Sequence, residues 1–219
     1  MDIRRDFYLN KLIKRKNNGL IKVITGIRRC RKSYLLNNLF YHHLLESGID
    51  TDHIIRFAFD SADDLYLIGE SLIQIEKEKR GVDPEKFITY ICSKVIDNGM
   101  YYLFLDEVQM LDCFVSVLNG YLRKENMDVF VTGSNAKLLS KDVATEFAGR
   151  GDEVHMYPLS FAEFMTVYPG GINIWGYLSI CYMVESCWLF YAKIQRIKQS
   201  LYKICLMKFI LEILPLETG

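Results

Sequence analysis

The chain has 219 residues, enough for one full domain with an appendage and a sizeable buried core. Lys+Arg and Asp+Glu both number 27, so no overall charge draws it toward nucleic acid or an anionic membrane. Its cysteines, Cys30, Cys92, Cys113, Cys181, Cys187 and Cys205, form no paired framework, and the histidines lack metal-ligand spacing with them. Charges run through residues 1–16 where a secretory signal would need an apolar stretch, so reduced thiols in a cytoplasm are expected.

The first segment is locally basic, with Arg4, Arg5, Lys11, Lys14, Arg15 and Lys16. It reads as a solvated helix face or as a patch for DNA. Leu20 to Thr25 then reads as a short buried strand, and Tyr34 to Phe40 as a helix. Between them lies Gly26-Ile27-Arg28-Arg29-Cys30-Arg31-Lys32-Ser33. Strand, glycine, a short spacer and Lys-Ser opening a helix is the P-loop pattern. In it, backbone amides from Gly26 to Lys32 cradle phosphates, Lys32 reaches the outer phosphates, and Ser33 supports Mg²⁺. The pattern wants glycine where this chain has Arg31. There the main chain approaches the phosphates in conformations that other residues adopt at a cost. Cys30 reads as a small loop residue, with oxidation the alternative.

Ile54 to Phe59 reads as the next strand, and residues 61–83 as a loop with a solvated helical stretch. Pro84 to Ile96 has an amphipathic pattern, with Pro84 suited to a first turn. Tyr101 to Leu105 is an apolar run ending in Asp106-Glu107, a strand buried on both faces with carboxylates at its C-terminal end. In P-loop NTPases such a strand is expected beside the P-loop strand. Asp106 would support Mg²⁺ and Glu107 would orient and polarise the attacking water. The alternative for the pair is an acidic helix start or a solvated loop.

Leu111 to Leu122 supplies a helix, and Asp128 to Thr132 a further strand that ends in Gly133-Ser134-Asn135. Ser134 or Asn135 is equally eligible to sense the γ-phosphate, while ordinary turn and capping chemistry uses the same residues. Glu153 to Tyr157 supplies a last strand. Strands alternating with helices argue for a doubly wound, mainly parallel α/β sheet, with ligands beyond the carboxyl ends of the strands.

Thr25 to Cys30, Leu105 to Gln109, Val131 to Asn135 and Tyr157 to Phe161 together resemble one family. It is the prokaryotic AAA-type ATP-binding proteins, whose N-terminal ATPase domain precedes an uncharacterised C-terminal domain. The resemblance runs from about Ile3 to about Tyr168, and it implies ATP and Mg²⁺ binding by an ATPase domain over residues 1–168. It also implies that Arg150 contacts phosphate in the same or a neighbouring subunit, which allows a homo-oligomer; the alternative is a surface arginine after a glycine turn. The family's helix near the N-terminus favours the solvated-face reading of the basic segment. Family members usually carry Gly-Lys-Ser where this chain has Arg31-Lys32-Ser33.

Residues 169–219 hold both tryptophans and half the cysteines, with no motif that can be placed. Tyr177 to Ala192 is apolar but interrupted by Glu185 and too short to span a bilayer. The codons for Cys181 to Glu185, read one base earlier, are compatible with Leu-Tyr-Gly-Gly, and the family carries a Tyr-Gly-Gly-containing segment in this region. The expectation is a truncated or frameshifted copy with an out-of-frame tail beginning near Pro169–Gly171; the alternative is a genuinely divergent short C-terminal region. Two other readings stay open: a non-hydrolysing or decayed nucleotide-binding remnant, and a DNA-binding or interaction module that keeps the fold as scaffold.

Overall fold

Five parallel strands in the order β2-β3-β4-β1-β5 carry the fold. They are β1 (Ile21–Gly26), β2 (Ile54–Ala58), β3 (Tyr101–Asp106), β4 (Met127–Thr132) and β5 (Gly151–Met156). The structure, a computed structural model, describes residues 5–27, 30–133, 149–158, 160 and 163. All of these lie in the unit Met1–Pro169. The tail 169–219 lies outside the described residues, as do Arg28, Arg29, Ser134 and Asn135.

The inner strands β1, β3 and β4 are buried at every position, which is why each reads as a nearly unbroken apolar run. Alternation along them feeds two cores. Ile21, Val23, Leu103, Leu105, Val129 and Val131 face one side, packed with Phe57, Phe59 and Phe87. Ile24, Tyr102, Phe104 and Phe130 face the other, where Phe40 packs at 4.7 Å from Phe130 and 5.6 Å from Phe104, ring centre to ring centre.

Helices cover both faces. On the second face lie α1 (Asp6–Arg15) and a continuous helical run after the glycine loop. That run comprises α2 (Lys32–Tyr34), a π-helical stretch Leu35–Phe40 and α3 (Tyr41–Glu46). The remaining helices, α4 (Ala62–Leu67), α5 (Leu72–Glu78), α6 (Pro84–Lys94) and α7 (Phe114–Leu122), contribute to the first core. Pro84 opens α6, where the Asp83 carboxylate accepts from the Glu85 amide at 2.8 Å.

Three expectations change. Residues 61–83 hold two helices, α4 and α5, and the Ser61 hydroxyl caps the first by accepting from the Asp64 amide. The acidic strand β3 is not beside β1, because β4 pairs with both of them. Nor is the basic segment uniformly a solvated face. Arg5 is buried at 3 % exposure, and Arg15 pairs with Asp152 at 3.1 Å.

Beneath the sheet's other end, fully buried Lys22 of β1 pairs with Asp128 of β4, which also accepts from the Asn17 amide at 2.8 Å. Burial pulls the Lys22 ammonium down and pushes the Asp128 carboxyl up, while their mutual attraction opposes both shifts. Within a sheet this apolar, the pair ties one register of β1 against β4.

Candidate functional site

Gly26, Thr132 and Asp106 are the last residues of β1, β4 and β3, three neighbouring strands. The parallel order therefore gathers the glycine loop and the acidic strand end at one edge of the sheet, the position where open α/β sheets bind ligands.

Gly26 has φ +145°, and a Cβ there would stand 2.4 Å from the Met156 carbonyl oxygen and 2.9 Å from the Cys30 sulfur. Only glycine fits, so the chain leaves β1 pressed against the end of β5. The loop then closes on itself. The Cys30 amide donates to the Ile27 carbonyl at 3.4 Å, and the Lys32 ammonium donates to the carbonyls of Gly26 at 3.1 Å and Ile27 at 3.2 Å. Lys32 is 7 % exposed, and among the described residues no carboxylate pairs with it. A buried cation held only by neutral carbonyls retains attraction for an anion. Ser33 follows it, exposed, in the first turn of the helical run. Burial pushes the Cys30 thiol up despite the charges of Lys32 and Arg5, so it stays protonated and acts as a small packed residue.

Arg31 adopts φ +65° and ψ +38°, the left-handed region. That conformation costs a non-glycine residue roughly 1–2 kcal/mol, and it is the physical content of the glycine the motif wants here. The exposed guanidinium rests 5.3 Å from the Tyr34 ring centre, which returns about 0.5–1 kcal/mol. Arg31→Gly should leave the fold's stability within about 1 kcal/mol, because relief of the left-handed strain offsets the lost stacking and the added freedom of the unfolded chain. It should raise Mg·ATP affinity by more than about tenfold, by removing a side-chain stem next to Lys32. Titration calorimetry checks this, and a fall in affinity would make Arg31 itself a phosphate ligand.

On the acidic side, the Thr132 hydroxyl donates to an Asp106 carboxylate oxygen and accepts from the Glu107 amide at 3.3 Å. Thr132 thus holds the Asp106 carboxylate and the Glu107 backbone, a role that no sequence motif signalled. Asp106 is 8 % exposed, and among the described residues no cation pairs with it. Glu107 takes the left-handed conformation at φ +53°, turning the chain into the 3-10 stretch Val108–Met110. Its carboxylate accepts from the Gln109 side-chain amide. Among the described residues, no group of three or more His, Cys, Asp or Glu converges as a metal site. Any Mg²⁺ at this edge would need ligands beyond such a cluster, from water or a bound phosphate.

Arg150 is not brought to this edge. It precedes β5, exposed, and its carbonyl accepts from the Ile21 amide at 2.9 Å. Gly151 pairs with Ile21 and Met156 with Gly26, so Arg150 lies beyond the far end of β5, some six residue steps or about 20 Å from the start of the loop. Contact with phosphate inside one chain is removed by that geometry.

The family described as an AAA domain matches residues 18–165, well over half of the chain. The chain belongs to this family. The match includes every site residue named above, and it marks the described part as a nucleotide-binding, ATPase-type domain. An uncharacterised protein of Haemophilus influenzae is 34 % identical over 164 residues, 74 % of this chain and 37 % of the relative. An uncharacterised protein of Methanocaldococcus jannaschii is 30 % identical over 167 residues, 74 % of this chain and 31 % of the relative. The chain thus spans about a third of the length of the curated relatives it matches. Among solved structures, the S. cerevisiae Hsp104:casein complex in its extended conformation gives a TM-score of 0.51 at 15 % identity, covering 75 % of this chain and 28 % of that one. The Aeropyrum pernix ORC1 protein in complex with DNA gives 0.50 at 10 % identity, covering 80 % and 53 %. At these identities the likeness is of fold alone. No helix among the described residues is long and apolar enough to cross a membrane.

Proposed function

We propose that residues 1–168 form an AAA domain that binds Mg·ATP at the edge built by β1, β4 and β3 and hydrolyses its γ-phosphate. The observation that carries this reading is Lys32, a buried cation whose partners are carbonyls of its own loop, on the same sheet edge as the buried carboxylate Asp106. Lys32 binds the β- and γ-phosphates, and the amides from Gly26 through Ile27, Arg28, Arg29, Cys30 and Arg31 line the cradle. Ser33 and Asp106 hold Mg²⁺, which when bound neutralises the charge that develops on the phosphate oxygens. Glu107 accepts a proton from the attacking water, and Asn135, outside the described residues, senses the γ-phosphate.

Arg150 reaches phosphate only in a neighbouring copy of the chain, so full activity calls for a homo-oligomer. Residues 169–219 are assigned to a tail without a role in this chemistry. Cytoplasmic location agrees with the reduced thiols Cys30, Cys92 and Cys113, which are free among the described residues.

Phosphate release from ATP by the full chain, followed with and without Mg²⁺, tests the hydrolytic part. Mg²⁺-dependent release is expected. Binding of Mg·ATP with no release would instead establish a non-hydrolysing nucleotide-binding domain.

A further inference from the structure

Arg5 makes three directed contacts from a side chain that is almost fully enclosed. One terminal nitrogen, Nη1, donates to the Cys30 carbonyl at 3.0 Å, and Nη2 donates to the Tyr157 carbonyl at 2.8 Å. Nε donates to the Glu163 carboxylate at 3.1 Å, and the guanidinium carbon lies 4.6 Å from the Tyr8 ring centre. Around this hub the chain is tied again, because the Tyr8 hydroxyl accepts from the Tyr157 amide at 3.1 Å. Glu163 is itself fixed, accepting from the Ser160 amide at 2.8 Å and the Ser160 hydroxyl at 2.9 Å. Burial works against its charge, but these hydrogen bonds and Arg5 hold its carboxyl below the ordinary value.

The chemistry of an anion cradle explains why a loop needs such a hub. When successive amides point inward at phosphate, the alternating carbonyls must point outward, and a carbonyl buried on that outer side requires a donor. Cys30 sits immediately before the left-handed Arg31. Its carbonyl is enclosed, and its side-chain donor is Arg5. The same guanidinium fastens that carbonyl to the residue after β5, whose Met156 also presses on Gly26.

We propose that Arg5 is a positioning residue of the phosphate loop, holding the Cys30 carbonyl outward so that the amides after it face a bound polyphosphate. The proposal rests on the reading of this loop as a phosphate site. It gives the start of helix α1 a role in ligand affinity, since its N-cap residue sets the loop's shape. A lysine cannot replace it, because only the planar fork reaches two carbonyls and a carboxylate at once.

The test titrates Mg·ATP and Mg·tripolyphosphate, which lacks the nucleoside, into the full-length wild type, Arg5→Ala and Arg5→Lys, with thermal melting as the check on folding. Both variants should lose affinity for both ligands by a similar factor of about fivefold or more. Arg5→Lys keeps the positive charge beside the Tyr8 ring, so it gives a folded variant for the decision even where alanine does not. Wild-type affinity in a folded variant, with only the melting temperature lowered, would overturn the proposal and leave Arg5 a purely structural residue. So would loss of Mg·ATP affinity with tripolyphosphate unchanged. A wild-type chain that binds neither ligand would instead refute the phosphate-site reading itself.

Discussion

Lys32→Ala should lower Mg·ATP affinity by at least about 100-fold, equivalent to roughly 2.7 kcal/mol. The ammonium spends hydrogen bonds on the Gly26 and Ile27 carbonyls at 3.1 and 3.2 Å, which fixes its position and leaves a further N–H and the full charge for ligand oxygens. Charge-assisted hydrogen bonds are worth about 1.5–3 kcal/mol each, so loss of even one or two accounts for the effect. The fold should tolerate the change. Alanine strands two carbonyls, but it also removes a cation that is 7 % exposed and has no described carboxylate partner. Those terms oppose, and the net change in stability should stay within about 1 kcal/mol. Unchanged affinity in Lys32→Ala would remove the loop from the nucleotide site.

Glu107→Gln should lower the rate of phosphate release by about 100-fold or more while moving Mg·ATP affinity by no more than about threefold. The carboxylate is proposed to take a proton from water, which a glutamine amide does not do. The backbone geometry should survive, because the left-handed conformation at φ +53° is equally strained for either residue, and the amide still donates to Thr132. The Gln109 side chain, which donates to the Glu107 carboxylate, can turn to accept from the new amide instead. Equal losses of binding and release would assign Glu107 a metal-holding or structural part. Steady-state release and equilibrium titration on one preparation separate the outcomes.

The strands were legible because strands buried on both faces are nearly continuous apolar runs, as in Tyr101–Leu105 and Val129–Val131. Their order was not. Which parallel strand lies beside β1 depends on how distant crossovers pack, and nothing in the runs themselves places β4 between β1 and β3. Lys22 illustrates the same limit, since its burial makes sense only beside Asp128, 106 residues further on. The Arg31 conformation was legible in a different way. A motif that wants glycine names a backbone shape, and the arginine adopts that shape at φ +65°. Arg5 was misjudged as part of a basic face because charge in a sequence carries no sign of what encloses it. Its partners Cys30, Tyr157 and Glu163 lie up to 158 residues away. Thr132 went unnoticed as the hydroxyl that joins Asp106 to the Glu107 amide because a β-branched residue ending a strand is ordinary strand chemistry.

The most direct measurement is a calorimetric titration of the full chain with Mg·ATP, run beside Lys32→Ala. A nucleotide site at the loop requires saturable binding of one nucleotide per chain by the wild type, at affinities in roughly the micromolar range, near −8 kcal/mol, and its loss in the variant. No heat of binding by a folded wild type, or equal binding by both proteins, would contradict it.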